Sequence, residues 1–177
     1  MATKSEAMVD SDGLCSCLAV RQASRYLTAV YDAALSPAEL RITQFSILYK
    51  LARGGPITIG ELASRMAMDR TTLSTNLKPL ERAGLVDIVP GVDRRSKLVL
   101  ITGAGLVRFQ KALPLWSKVQ ARFEGRYGAP AAAGLREALR GVLKSGFEPW
   151  AETSSAAGAC EAEARAAAIA DGADAPF

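Results

Sequence analysis

The chain has 177 residues, 49% of them hydrophobic, enough for one domain of ordinary size with its own core. It has no histidine, which removes the Ser-His and Cys-His catalytic pairs and the commonest metal ligand; its three cysteines, Cys15, Cys17 and Cys160, are too few and too scattered for a structural zinc site. The net charge of +4 is unevenly spread: residues 151–177 hold five acids and one base, so the first 150 carry +8, a balance compatible with nucleic-acid binding.

Residues 1–11 are polar and acidic and read as disordered. They lack a charged segment followed by an apolar one, and no apolar run approaches the roughly 20 residues of a membrane span, so no signal peptide, no membrane partner and a cytoplasmic location are expected. A long helix is predicted over 14–35. Its apolar positions (Leu14, Leu18, Val20, Leu27, Val30) spread over more than one face, the pattern of a helix that packs on two partners. Ser36-Pro37 resembles a helix start with proline at the first position, and Thr43 is a rival cap. Gly54-Gly55-Pro56 then breaks the chain.

Thr58 and Glu61 form a capping-box pattern, and Ile59, Leu62, Ala63 and Met66 follow at helical spacing. Asp69 is a second candidate N-cap. Behind it, Leu73, Leu77 and Leu80 form one apolar stripe; the opposite face carries Thr71, Thr75, Lys78 and Arg82, flanked by Thr72 and Asn76. Pro79 lacks the N–H that would bond the Thr75 carbonyl and is expected to bend this helix, and Gly84 is placed to stop it. The period then becomes strand-like: Leu85, Val86, Ile88 and Val89 in one run, Leu98 to Ile101 in another, with the turn 90–97 between them. Thr102 caps a helix running to about residue 127, weakened by Gly103 and Gly105 and expected to kink at Pro114, with Leu106, Phe109, Leu113, Trp116 and Phe123 as its apolar face. After a break at Gly128-Ala129-Pro130, a last helix is predicted over 131–145, anchored by Leu135, Leu139, Val142 and Leu143. Residues 151–177 are rich in Ala, Glu, Gly and Ser and read as frayed helix or disorder.

An exposed helical face of short hydroxyls, an amide and cations suits the DNA major groove: amides and cations pair with base edges, hydroxyls reach bases or phosphates, and none is bulky enough to block approach. Arg94, Arg95 and Lys97 sit at the ribbon tip, where an arginine can enter a narrow minor groove. Asp93 repels phosphate; its expected role is to orient Arg95. The plainer alternatives are a solvated helix face and a soluble hairpin tip.

The runs "DRTTLSTNLKPLERAGLV" and "DRRSKLVLIT" resemble the winged helix-turn-helix of the MarR family of bacterial transcriptional regulators, with Asp93 and Arg95 matching the Asp-x-Arg of that family's wing. The likeness covers residues 12–150 and is most specific over 58–102. It implies a mainly α fold with a small β-wing, a core over about 43–102 and dimerisation helices over 12–35 and 103–150. It favours a turn at 36–41 before a helix over 43–53. It also implies an obligate homodimer on a pseudo-palindromic double-stranded DNA operator, usually a repressor released by a small molecule or by oxidation; with no histidine, no glycine-rich phosphate loop and no clustered carboxylates, no enzyme, cofactor or metal is expected.

The DNA-binding set is then Arg70, Thr71, Thr72, Thr75, Asn76 and Lys78 on the recognition helix, and Asp93, Arg94, Arg95 and Lys97 on the wing. Arg25, Tyr26, Trp116 and Arg122 are the residue types that would line a pocket for a small aromatic or other organic effector. In the resemblance to the hydroperoxide-sensing branch, Cys17 and Tyr31 match the spacing of a reactive cysteine and its tyrosine, while Arg21, Ile42 and Phe45 stand where that branch has further tyrosines. On one continuous helix Cys15 and Cys17 point about 200° apart, so a disulfide between them would need the helix to unwind. Two alternatives stay open: an oxidation sensor using Cys17, and a winged-helix protein–protein module with no DNA role.

Overall fold

A computed structural model describes residues 11–91 and 96–145. The chain runs α1 (Ser11–Leu14), α2 (Ser16–Leu35), a 3-10 turn (Ser36–Ala38), α3 (Ile42–Gly54), β1 (Ile57–Thr58), α4 (Ile59–Arg65), α5 (Arg70–Arg82), β2 (Val86–Pro90), β3 (Lys97–Ile101), α6 (Gly103–Tyr127) and α7 (Ala129–Leu143). The result is mainly helical, with one small antiparallel sheet in the order β1-β3-β2. Ile57 sits opposite Val99, Val86 opposite Ile101, and Pro90 opposite Lys97 at the open end. Two residues are too short for a periodicity to register, so β1 was not anticipated.

One core gathers the apolar stripes. Leu62 and Ala63 of α4, Leu73, Leu77 and Leu80 of α5, Ile47, Leu48 and Leu51 of α3, and Val86 and Val99 of the sheet are all buried, and Phe109 and Ala112 of α6 join them. Each fully buried leucine contributes roughly 1.5–3 kcal/mol. On α3, Phe45 lies 5.4 Å from Phe109 and 5.8 Å from Trp116 between ring centroids, the latter pair stacked at 16°. Between α2 and α6 the Tyr31 hydroxyl donates to Gln120 Oε1 at 2.5 Å.

Several helix ends differ from expectation. The predicted helix over 14–35 is interrupted at Cys15, whose extended backbone (φ −82, ψ 99) makes it the N-cap of α2. Pro37 opens only a 3-10 turn. Helix α3 starts at Ile42, one residue early, and Thr43 is not its cap: Asp32 of α2 accepts the Ile42 N–H at 2.7 Å. The local cap is Gln44, whose Oε1 accepts the Arg41 N–H at 2.9 Å, and the tertiary bond from Asp32 adds to it. Helix α6 runs on through Pro114, and Thr102 caps it as expected, accepting the Gly105 N–H at 2.9 Å.

The chain divides into two units after Tyr127. In the second, α7 opens at Ala129, before the predicted start, with Pro130 in the first turn, where its missing N–H has no helical partner to lose. Of the four predicted anchors, Leu135 is half-buried and Leu139, Val142 and Leu143 are exposed, the last two at 65% and 74%. The expected disorder of the first residues and of 151–177 lies outside the described residues, except that Ser11 opens α1. Among the described residues no helix is long and apolar enough to cross a membrane.

Candidate nucleic-acid interface

Helix α4 is held at both ends by its own sequence. Thr58 Oγ1 accepts the Glu61 N–H at 3.1 Å. The reciprocal half of the capping box is absent, because the Glu61 carboxylate pairs with Arg65 at 2.6 Å. At the other end the Ala67 N–H bonds the Ser64 carbonyl at 3.0 Å and the Met68 N–H bonds the Ala63 carbonyl at 2.9 Å, the two bonds of a Schellman cap. Ala67 takes the left-handed conformation this requires, at φ 51. That turn swings the chain into α5.

Asp69 caps α5 twice through Thr72: its carboxylate accepts the Thr72 N–H at 2.7 Å and the Thr72 hydroxyl at 2.6 Å. The Thr72 hydroxyl, and then the Thr72 backbone N–H, hold the Asp69 carboxyl below its ordinary pKa. The helix ends on a second Schellman cap, with Gly84 at φ 65, Gly84 N–H to Glu81 O at 2.9 Å and Leu85 N–H to Leu80 O at 2.9 Å. Pro79 stays inside the helix. Burial of Leu73, Leu77 and Leu80 fixes the rotation of α5, leaving Thr71, Thr72, Thr75, Lys78 and Arg82 exposed and Asn76 half-buried.

The chemistry of that face is narrower than the residue types imply. Thr75 Oγ1 donates to the Thr71 carbonyl at 3.0 Å, and Asn76 Nδ2 donates to the Thr72 carbonyl at 2.9 Å. Thr75 keeps its hydroxyl lone pairs, and Asn76 keeps its carbonyl oxygen and the second hydrogen of Nδ2. Arg70, Lys78 and Arg82 have no ion-pair or hydrogen-bond partner among the described residues. The surface therefore offers a hydroxyl acceptor and an amide that can both accept and donate, with unneutralised cations near them. Sequence reading passed over Gly60, which lies under the Arg70 guanidinium; the signal was a lone glycine inside a helical pattern.

At the wing, β2 and β3 pair as far as Pro90 and Lys97, and the Gly91 N–H bonds the Ser96 carbonyl at 2.8 Å. Lys97 is exposed. Asp93, Arg94 and Arg95 lie outside the described residues.

The effector set is not brought together. Arg122 lines a groove of about 360 Å³ between α2 and α6 with Val30, Ala33, Ala34, Leu115, Lys118 and Val119. Trp116 is engaged with Phe45, and Arg25 and Tyr26 are exposed elsewhere on α2. Cys17 and Tyr31 stand fourteen residues apart on α2, about 21 Å along its axis, so they do not meet within one copy. Cys15 and Cys17 are both exposed, and Cys15 Sγ accepts the Leu18 N–H at 3.4 Å. Cys15 stands outside the helix, so the unwinding thought necessary for a Cys15–Cys17 disulfide does not arise on its side.

A family model described as MarR family matches residues 40–97. The uncharacterized HTH-type transcriptional regulator YwoH of Bacillus subtilis is 34% identical over 83 residues, 47% of this chain and 61% of that protein. The chain thus spans less than two thirds of that curated relative. Among solved structures, the M. tuberculosis transcriptional regulator MosR in complex with DNA is 36% identical, with 75% of this chain and 99% of that chain covered and a TM-score of 0.66. The PcaV transcriptional regulator from Streptomyces coelicolor, with its natural ligand, shares the fold at a TM-score of 0.69 and 21% identity, over 83% of this chain and all of the other.

Proposed function

The chain belongs to the MarR family, and from that premise we propose that it is a transcriptional regulator that binds double-stranded DNA as a homodimer, with α5 in the major groove and the 90–97 wing at the minor groove. The observation that carries the reading is α5: three leucines lock its back into the core, Lys78 and Arg82 stand in front, Arg70 lies beside them over α4, and none of the three has a partner among the described residues. Exposed cations without carboxylate partners are what phosphate binding needs, and the Thr75 hydroxyl and the Asn76 amide suit base edges. On the sequence pattern of the wing, Arg95 is the residue assigned to the minor-groove contact, with Asp93, Arg94 and Lys97 as its neighbours in the chain. The family premise and the relation to MosR, itself solved on DNA, support this assignment.

A recognition helix reads one half-site, and two half-sites about 34–36 Å apart require a two-fold pair. Each terminal helix leaves apolar side chains exposed, Val20 and Tyr26 on α2, Leu139, Val142 and Leu143 on α7, and each set is of the kind a second copy would cover. The expected action is repression from the cytoplasm. Release by an organic anion fits the α2–α6 groove, whose apolar floor is flanked by Lys118 and Arg122.

The test is a gel-shift titration against the gene's own promoter region at several salt concentrations. Steeply salt-dependent binding to a two-fold site is expected, and Lys78→Ala should lower the slope of log affinity against log salt by about one. Indifference to duplex DNA at low salt would overturn the reading and leave a protein–protein module.

One observation favours release by oxidation as a second reading: two exposed thiols stand two residues apart, with Cys15 outside the helix. A peroxide would take Cys17 to the sulfenic acid and leave as an alcohol; attack by the Cys15 thiol would then form the disulfide and release water. Mass spectrometry after mild peroxide, with binding measured in parallel, decides. DNA release with both thiols intact would remove this reading.

A further inference from the structure

Glycine is among the poorest helix formers, yet Gly60 occupies the second position of α4, where its backbone needs no left-handed conformation. What its missing side chain leaves open is space. A Cβ built on Gly60 would meet Arg70 Nη2 at 3.0 Å, Nε at 3.3 Å and Cζ at 3.4 Å. Three guanidinium atoms at nearly equal distance mean that the flat group of Arg70 lies across the Gly60 backbone. Arg70 opens α5, at the edge of its buried stripe, so its side chain reaches back over α4 rather than outward with Lys78.

The acids close by in sequence are both engaged elsewhere: Glu61 with Arg65, and Asp69 with Thr72. The Arg70 guanidinium therefore occupies the space a Gly60 side chain would take, without a carboxylate to neutralise it. A planar, unpaired guanidinium beside a helix that enters a groove is suited to clamp a phosphate through two parallel N–H bonds.

We infer that Gly60 is a positioning residue: its open face seats the Arg70 guanidinium on α4 and presents it to a DNA-backbone phosphate. The inference rests on the DNA-binding reading above. Arg70 makes the contact, and Gly60 acts only through it.

The experiment is a double-mutant cycle of Gly60→Ala and Arg70→Ala. It is read by duplex affinity at several salt concentrations, by thermal stability, and by ¹⁵Nε relaxation of Arg70 in the free protein. Gly60→Ala should keep or raise Tm, because alanine is the better helix former, yet weaken binding about threefold to tenfold on every sequence. It should leave the salt slope unchanged, since the charge remains. Arg70→Ala should lower that slope by about one, and Gly60→Ala should add nothing in its background. The Arg70 side chain should be ordered in the native protein and mobile in Gly60→Ala. Equal weakening in both backgrounds, no weakening, or an Arg70 that is mobile from the start each overturns the inference while leaving the DNA-binding reading in place. A native protein that ignores duplex DNA overturns both, and the relaxation data then report whether the seat itself exists.

Discussion

At the scale of single residues, Asp69 governs how α5 begins. Its carboxylate takes two hydrogen bonds from Thr72, so the charged form is favoured in the folded chain and its pKa is depressed below the free-aspartate value of 3.8. The stabilisation is then present above that value and is lost as pH falls further, through the depressed folded value. Asp69→Ala should lower Tm at pH 7, and the gap to the native protein should narrow below about pH 4. A gap unchanged in acid would mean that the carboxylate charge is not what caps the helix.

At the scale of elements, both helices of the helix-turn-helix end on the same cap, with Ala67 in the left-handed position after α4 and Gly84 after α5. The alanine costs the turn what the glycine does not. The passage from sheet to α6 depends on close approach. Thr102 Oγ1 donates to the Gly84 carbonyl at 2.7 Å, and a Cβ at Gly105 would collide with the Leu85 carbonyl oxygen. Gly105→Ala should destabilise by about 1–3 kcal/mol despite the better helix propensity of alanine. Gly125→Ala, on the same helix with nothing within 4 Å of the added carbon, should stabilise by about 0.5–1 kcal/mol. Denaturant midpoints of the two variants check the pair, and the same sign for both would refute the close approach.

At the scale of the whole molecule, the core closes well around α3, α4, α5 and the sheet, while the terminal helices remain largely apolar and exposed. Tyr26 is 69% exposed and Leu143 74%. The expected remedy is a second copy. Light scattering should give twice the chain mass, and Val142→Glu with Leu143→Glu should yield monomers whose DNA affinity falls steeply, because each half-site then binds alone. A native protein that is monomeric at micromolar concentration and still protects a two-fold site would contradict this.

The sequence by itself determined the local elements whose causes are local: the α5 stripe of Leu73, Leu77 and Leu80, the Asp69 and Thr102 caps, the stop at Gly84 and the alternating runs of β2 and β3. Each rests on residues within a few positions of one another, so periodicity and cap chemistry were enough. Only the tertiary structure decided what depends on residues distant in sequence or on the third dimension. Asp32, ten residues upstream, holds the first N–H of α3; Val99 opposite Ile57 created β1; Trp116 stacks on Phe45, seventy-one residues away. The Arg70 seat on Gly60 belongs to the same class, because a vacancy becomes a feature only when the chain folds back to fill it.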